Sequence, residues 1–179
     1  MPEIEIRPAV SSDIAHLVAL DNTYASDYTW QMEVSAEASK IGVNFRQIRL
    51  PRTVKMEYPR SPGELPDEWA RLSGLLVAVL RGECVGFIGL RIDLAPATTW
   101  VRDLVVGSQL RRQGIGSALV LAAQEWGLQH GSRRILLEMQ PKNYPTSQLA
   151  QKLGFEFCGF NDRYYTNHDI ALFFAKSLR

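Results

Sequence analysis

Along the chain, the alternation of apolar and polar positions divides the sequence into short, well-punctuated elements. Met1 to Arg7 alternates with the two-residue period of a strand, Ile4 and Ile6 falling on one face. Ser11, Ser12 and Asp13 then offer capping side chains ahead of Ile14, Leu17, Val18 and Leu20, whose helical spacing predicts a first helix. Asp21 to Lys40 mixes aromatic and acidic residues, and an amphipathic helix with solvated carboxylates accounts for it most simply. Val43 to Leu50 alternates as a strand, and Pro51, Pro59, Pro62, Gly63 and Pro66 mark an extended connection ending in a helical turn around Glu68-Trp69-Ala70.

From Leu75 the pattern sharpens. Leu75 to Leu80 and Cys84 to Leu90 flank the turn signal Arg81-Gly82-Glu83 and predict a hairpin. A strand over Trp100 to Val106 runs into a loop, Gly107 to Gln113. Ile115, Ala118, Leu119, Ala122, Ala123 and Trp126 then line one face of a helix that ends near Gly131. Strands over Arg134 to Met139, Phe155 to Phe160 and Asp169 to Lys176 follow, with a short helix over Thr146 to Lys152. Strand-helix alternation in the middle with hairpins at both ends implies an α/β (α+β) fold with a mixed sheet.

Composition narrows the function classes. The chain has 179 residues, of which 46% are apolar, enough for one domain with a substantial core. Its net charge of +1 supplies no global attraction to nucleic acid or to an anionic membrane, so any anion site must be local. Cys84 and Cys158 lie outside any CxxC pair, and His16, His130 and His168 are scattered; no metal site is expected. No signal-peptide core and no run of roughly 20 apolar residues is present, so the expected location is cytoplasmic.

The stretch most informative about chemistry is Asp103 to Ala118. A buried strand leads into a basic loop, Arg111-Arg112-Gln113, and the glycines of Gly114-Ile115-Gly116-Ser117 fall where a helix begins. Unpaired amides at a helix start form a phosphate site, and side chains at Gly114 or Gly116 would obstruct the anion. A nucleotide-hydrolysing P-loop would need Gly-Lys-Ser/Thr, whereas Gly116 is followed by Ser117-Ala118. A dinucleotide fingerprint would need a third glycine, which is missing.

Arg111-Arg112-Gln113-Gly114-Ile115-Gly116 instead resembles the coenzyme signature of the GNAT acyltransferases, Arg/Gln-x-x-Gly-x-Gly/Ala. Asn143 to Phe155 continues the resemblance, with Asn143, Leu149, Leu153, Gly154 and Phe155 in the family's spacing. The resemblance implies a mostly antiparallel sheet of about seven strands in which two central parallel strands splay to form the slot for acetyl-coenzyme A (acetyl-CoA). It also implies one domain over 1–179, with 1–75 on the acceptor side and 76–179 forming the acetyl-CoA core. Backbone groups of Leu104, Val105 and Val106 would pair with the pantetheine arm, and the Val106 N–H would polarise the thioester carbonyl. Amides from Arg112 to Ser117 would hold the pyrophosphate, Arg111 and Arg112 would attract the anion, and Asn143 would bind pantetheine. The reaction implied is direct transfer of an acetyl group to an amine. Glu138 stands where relatives that acetylate protein amino termini place a general base, and Asp103 is the other carboxylate on the splayed strands. Family members commonly carry a thiolate-protonating tyrosine where this chain has Ala150, leaving Tyr144, Tyr164 and Tyr165 as candidates.

For the acceptor, Asn143-Tyr144-Pro145 and the segment Gly159 to Tyr165 resemble streptothricin acetyltransferases, which points to a cationic small-molecule amine, an antibiotic or polyamine-like compound. Asp27, Tyr28, Trp30 and Glu33 would suit such a substrate. A protein amino terminus is the alternative acceptor, and a coenzyme-binding regulatory module with little turnover the alternative class. Neither nucleic acid nor membrane is expected as a partner, and a homodimer is allowed.

Overall fold

The computed structural model describes residues 3–179, so Met1 and Pro2 of the expected first strand lie outside the described residues. That strand, β1 (Ile4–Pro8), is followed by a short turn over Ser11–Asp13 and by α1 (Ile14–Val18). Next come β2 (Tyr24–Glu37) and β3 (Lys40–Met56), α2 (Leu65–Glu68), β4 (Gly74–Leu80) and β5 (Glu83–Arg91). The second half holds β6 (Thr98–Val106), α3 (Ile115–Gln129), β7 (Arg134–Met139), α4 (Tyr144–Lys152), β8 (Glu156–Asn161) and β9 (Ala171–Ser177). Seven strands form one sheet in the order β1-β4-β5-β6-β7-β9-β8, antiparallel except for β6 beside β7.

β2 and β3 form a separate two-stranded hairpin, which corrects the helix expected over Asp21 to Lys40. The physical reason is a period of two. Tyr24, Ser26, Tyr28, Trp30, Met32 and Val34 fall on one side and Asp27, Thr29, Gln31 and Glu33 on the other, and aromatic and β-branched residues favour the pleat. The hairpin docks on the sheet domain through its own residues: the Trp30 N–H donates to the Pro141 carbonyl at 3.2 Å, and the Phe45 ring packs 5.2 Å from that of Phe160.

β4 and β5 are apolar on both faces because the sheet is covered on both. Leu76, Ala78, Ile88 and Leu90 join the main core with Ile115, Leu119, Val120 and Ala123 of α3, while Leu75, Val77, Val79 and Phe87 pack against Ile14, Leu17 and Leu65 on the opposite face. Gly127 lets α3 lie close to β6, since a Cβ there would come within 2.5 Å of Thr99 Oγ1. Among the described residues no helix is long and apolar enough to cross a membrane.

An ion pair closes the first loop onto this core. Arg7 donates to both Asp13 oxygens at 2.7 and 3.0 Å, the Val10 N–H adds a third bond at 2.8 Å, and Asp13 is only 5% exposed. The Arg7 guanidinium and the Val10 amide outweigh burial and hold the Asp13 carboxyl well below the usual carboxylate range. A depressed folded-state value stabilises the protein above the unfolded value of about 3.9, and that contribution is lost as pH falls through the folded value. Urea unfolding of the protein and of Asp13→Asn is therefore expected to differ most near neutral pH, with the gap closing progressively below about pH 4.

Candidate active site

Hydrogen bonding between β6 and β7 stops short of their ends. The parallel register runs from Thr98↔Arg134 to Val101↔Leu137, yet β6 continues to Val106 and β7 to Met139, so the strands part into a fork in the middle of the sheet. Beyond Val101, three backbone groups of β6 face the fork. The Arg102 carbonyl accepts from Arg60 Nη1 at 2.8 Å, the Leu104 N–H donates to the Tyr58 hydroxyl at 3.3 Å, and the Val106 carbonyl accepts from Arg111 Nε at 2.9 Å. In an extended strand the N–H and C=O of one residue point the same way. The Leu104 carbonyl and the Val106 N–H therefore also face the fork, where no strand stands opposite.

At the open end of the fork the chain turns sharply. Arg112 and Gly114 both have positive φ, 65° and 88°, and α3 starts immediately after Gly114. No side chain caps the start of α3, so the first amides of a 15-residue helix are left for an anion at the positive end of its dipole. Gly116 lies against α4, where a Cβ would come 3.3 Å from Leu149 Cδ2. Asn143, just before α4, accepts the Thr146 N–H on its side-chain oxygen at 3.2 Å.

At the closed end sits a polar cluster. Glu138 of β7, 8% exposed, accepts from Arg60 Nη2, from Trp100 Nε1 at 2.7 Å and from the Tyr164 hydroxyl at 2.9 Å. Asp103 of β6 accepts from the Tyr58 hydroxyl at 3.1 Å and from Arg60 Nη1 at 3.3 Å. Arg60 thus ties the two arms of the fork together, with its guanidinium 5.4 Å from the centre of the Tyr165 ring. Burial pulls the Arg60 guanidinium down, but Asp103 and Glu138 outweigh it and raise it above its ordinary value. Burial first, then Glu138, pushes the Tyr164 hydroxyl up to about 12 and Tyr165 higher still. Gln140, at the end of β7, accepts from the Tyr24 hydroxyl at 2.7 Å and donates to Asp169 at 2.6 Å, which fastens the loop carrying Tyr164. The cluster opens into a cavity of about 830 Å³ whose wall includes Glu57, Tyr58, Arg60, Glu64 and Tyr164.

A split parallel pair followed by an anion-binding helix start is the arrangement a thioester coenzyme would need, and the sequence matches the acetyltransferase (GNAT) family over residues 43–155. The chain belongs to the GNAT family. Streptothricin acetyltransferase of Streptomyces lavendulae is 23% identical over 166 residues, covering 90% of this GNAT chain and 86% of that protein. The crystal structure of a nourseothricin acetyltransferase, 23% identical, superposes with a TM-score of 0.82 over 98% of this chain and 99% of its own. A Bacillus anthracis structure in complex with acetyl-CoA, 19% identical, gives 0.75 with the same coverage. This GNAT protein is an acetyltransferase that uses acetyl-CoA as its acetyl donor.

The fold brings together several residues expected from the sequence. Glu138, Asp103 and Tyr164 converge, and Leu104, Val106, Gln113, Gly114, Ile115, Gly116 and Ser117 line the course from the fork to the helix start. Others are placed differently. Val105, expected to offer backbone groups to the coenzyme, turns the other way: strand alternation points its amide and carbonyl at β5, where it pairs with Phe87. Arg111, expected to attract the anion, is half-buried and spends its guanidinium on the carbonyls of Val106 and Asp21. Arg112 is exposed and makes no ion pair among the described residues.

None of Asp27, Tyr28, Trp30 and Glu33, expected at the substrate, is on the cavity wall. Asp27 bonds Thr53, Glu33 bonds Arg46, Tyr28 packs on Tyr144 with ring centres 4.7 Å apart, and Trp30 Nε1 reaches Ser147 Oγ at 3.3 Å. They fasten the hairpin together and onto α4. Ala150 is fully buried in the core. The residues missed by sequence reading are Tyr58 and Arg60.

Proposed function

We propose that this GNAT protein acetylates a small cationic amine entering through the cavity beside Glu138. The observation that carries this reading is the charge of the wall. Arg60 is paired with Asp103 and Glu138, Arg91 with Asp93 and Arg102 with Glu68, whereas Glu57 and Glu64 make no ion pair among the described residues. With every wall arginine matched, the surplus is negative, and such a cleft concentrates ammonium groups. The resemblance to streptothricin acetyltransferase supports the same class of acceptor.

In this reading acetyl-CoA lies with its pyrophosphate on the amides between Arg112 and Ser117, its pantetheine along Leu104 and Val106, and Asn143 beside it. Glu138 takes the proton of the incoming ammonium through the Tyr164 hydroxyl, and Asp103 shares Arg60 with it. The free amine attacks the thioester carbon, the C–S bond breaks, and the thiolate takes a proton from a water that in turn takes the proton the nitrogen sheds as it becomes an amide. The chain works as one domain, residues 1–75 supplying much of the acceptor wall and 76–179 the coenzyme half. A cytoplasmic place of action, where free cysteines such as Cys84 and Cys158 stay reduced, belongs to the same proposal.

A thiol-release assay over a panel of amines tests it. Turnover is expected with di- and polycationic small molecules. Turnover confined to peptide amino termini would replace this reading with protein acetylation, and coenzyme binding without turnover on any amine would replace it with a regulatory role. The double variant Glu57→Gln with Glu64→Gln is expected to raise KM for a dicationic acceptor by about three- to tenfold, less at high salt, with KM for acetyl-CoA unchanged.

A further inference from the structure

The coenzyme's reactive end must lie at the closed end of the fork, and one side chain already stands there. The anion site at Gly114 fixes the pyrophosphate at the open end, and the backbone groups facing the fork follow in order: Val106, Leu104, then Arg102. Arg102 is excluded as a thioester contact because its N–H belongs to the last rung of the ladder, against Leu137 of β7, and its carbonyl is an acceptor already held by Arg60. The last donor a thioester carbonyl can reach is therefore the Leu104 N–H, one residue beyond Asp103 and two short of Val106. The polarising role read from the sequence for the Val106 amide thus moves to Leu104, and the hydrogen-bond partner of that amide is the hydroxyl of Tyr58.

We propose that the Tyr58 hydroxyl and the Leu104 N–H together form the oxyanion hole of the reaction, with Tyr58 a catalytic residue donating to the thioester oxygen. This rests on acetyl-CoA lying along β6 as set out above, and not on the identity of the acceptor. The hydroxyl oxygen is 3.3 Å from the Leu104 nitrogen and 3.1 Å from Asp103 Oδ1. A thioester oxygen seated here takes the Leu104 N–H over from the Tyr58 oxygen, and a turn about the C–O bond carries the hydroxyl proton from Asp103 to that same oxygen, so two donors meet one acceptor. When the amine attacks, the carbonyl π pair moves onto that oxygen, which carries a full negative charge until the C–S bond breaks and the pair returns. No proton leaves Tyr58 in this step. Burial, and then the Asp103 carboxylate, hold its hydroxyl well above the ordinary phenol range. A phenol so placed keeps its proton beside a departing thiolate, which suits a standing hydrogen-bond donor and not an acid. Ring position is fixed by the adjoining Pro59 and by Arg60, whose guanidinium is anchored on both arms of the fork.

Isotope-edited infrared difference spectra of carbonyl-labelled acetyl-CoA bound to the protein test the proposal without any acceptor. In the wild type the thioester carbonyl stretch is expected to shift to lower frequency than in free acetyl-CoA. In Tyr58→Phe most of that shift should be lost, with the Kd for acetyl-CoA changed less than about threefold, because one hydrogen bond to a weakly basic ground-state carbonyl contributes little to binding. A ring-fluorinated tyrosine at position 58, a stronger donor of the same shape, should enlarge the shift. With any amine that turns over, kcat of Tyr58→Phe should fall about 100-fold with KM for acetyl-CoA held, and the melting temperature reports whether the fold is intact. An equal shift in wild type and Tyr58→Phe overturns the role of Tyr58 while leaving the coenzyme's course in place. No shift in the wild type overturns both.

Discussion

Arg60→Ala is expected to destabilise the protein by about 3–5 kcal/mol, the cost of leaving a buried carboxylate pair without its counter-charge. Arg60 is the shared partner of Asp103 and Glu138, whose side chains are 13% and 0% exposed, so its removal strands two negative charges across the fork. The loss should appear as a lower midpoint in urea with little change in slope, since the unfolding surface is the same. A triple variant, Arg60→Met with Asp103→Asn and Glu138→Gln, should recover much of the stability and none of the activity. Equal stability of Arg60→Ala and wild type would show that the guanidinium is not what joins the two strands.

The second large effect concerns binding. Gly114 sits at φ 88°, a left-handed conformation that costs a branched side chain roughly 1–2 kcal/mol, and its backbone opens directly onto the first amides of α3. Gly114→Val is expected to weaken acetyl-CoA binding about 100-fold or more by calorimetry, since strain is compounded by a side chain at the phosphate seat. Its stability should fall by only the strain. Gly114→Ala should lie between the two. If Gly114→Val lost stability alone, the anion site would have to be sought elsewhere.

The elements that could be read from the sequence are those whose signals are local. Leu75 to Leu90 reads as a hairpin because two apolar runs flank one turn, and both faces of β4 and β5 proved to be covered. The loop from Gly107 to Gly116 reads as an anion site because a strand, two glycines and a helix start fall within a few residues. β2 also carried its signal, a clean period of two from Tyr24 to Val34, but the carboxylates among the aromatics suggested a solvated helix face. Val105 shows a finer limit: a strand offers only alternate residues to one edge, and which set it offers depends on the register with β5.

Tyr58 and Arg60 were illegible for another reason. Both lie in a proline-rich connection without periodicity, and their partners are remote: Tyr58 meets Asp103 across 45 residues and Arg60 meets Glu138 across 78. No spacing rule spans such distances. What placed them is the folding of the chain back across the mouth of the fork, which is a property of the assembled sheet. The same holds for the charge of the cavity, since the pairing of Arg91 with Asp93 and of Arg102 with Glu68 decides its sign.

The short ladder between β6 and β7 also has a mechanical consequence. Four strands, β1-β4-β5-β6, make one slab and three, β7-β9-β8, another, and the ladder between them runs only from Thr98 to Val101, with Arg60 and the Trp100–Glu138 bond as side-chain ties beyond it, so the seam of least resistance runs through the centre of the sheet instead of its rim. A ligand laid along that seam supplies the missing stitches, and the protein gains cohesion each time it loads its acetyl donor and gives it up each time the spent thiol departs.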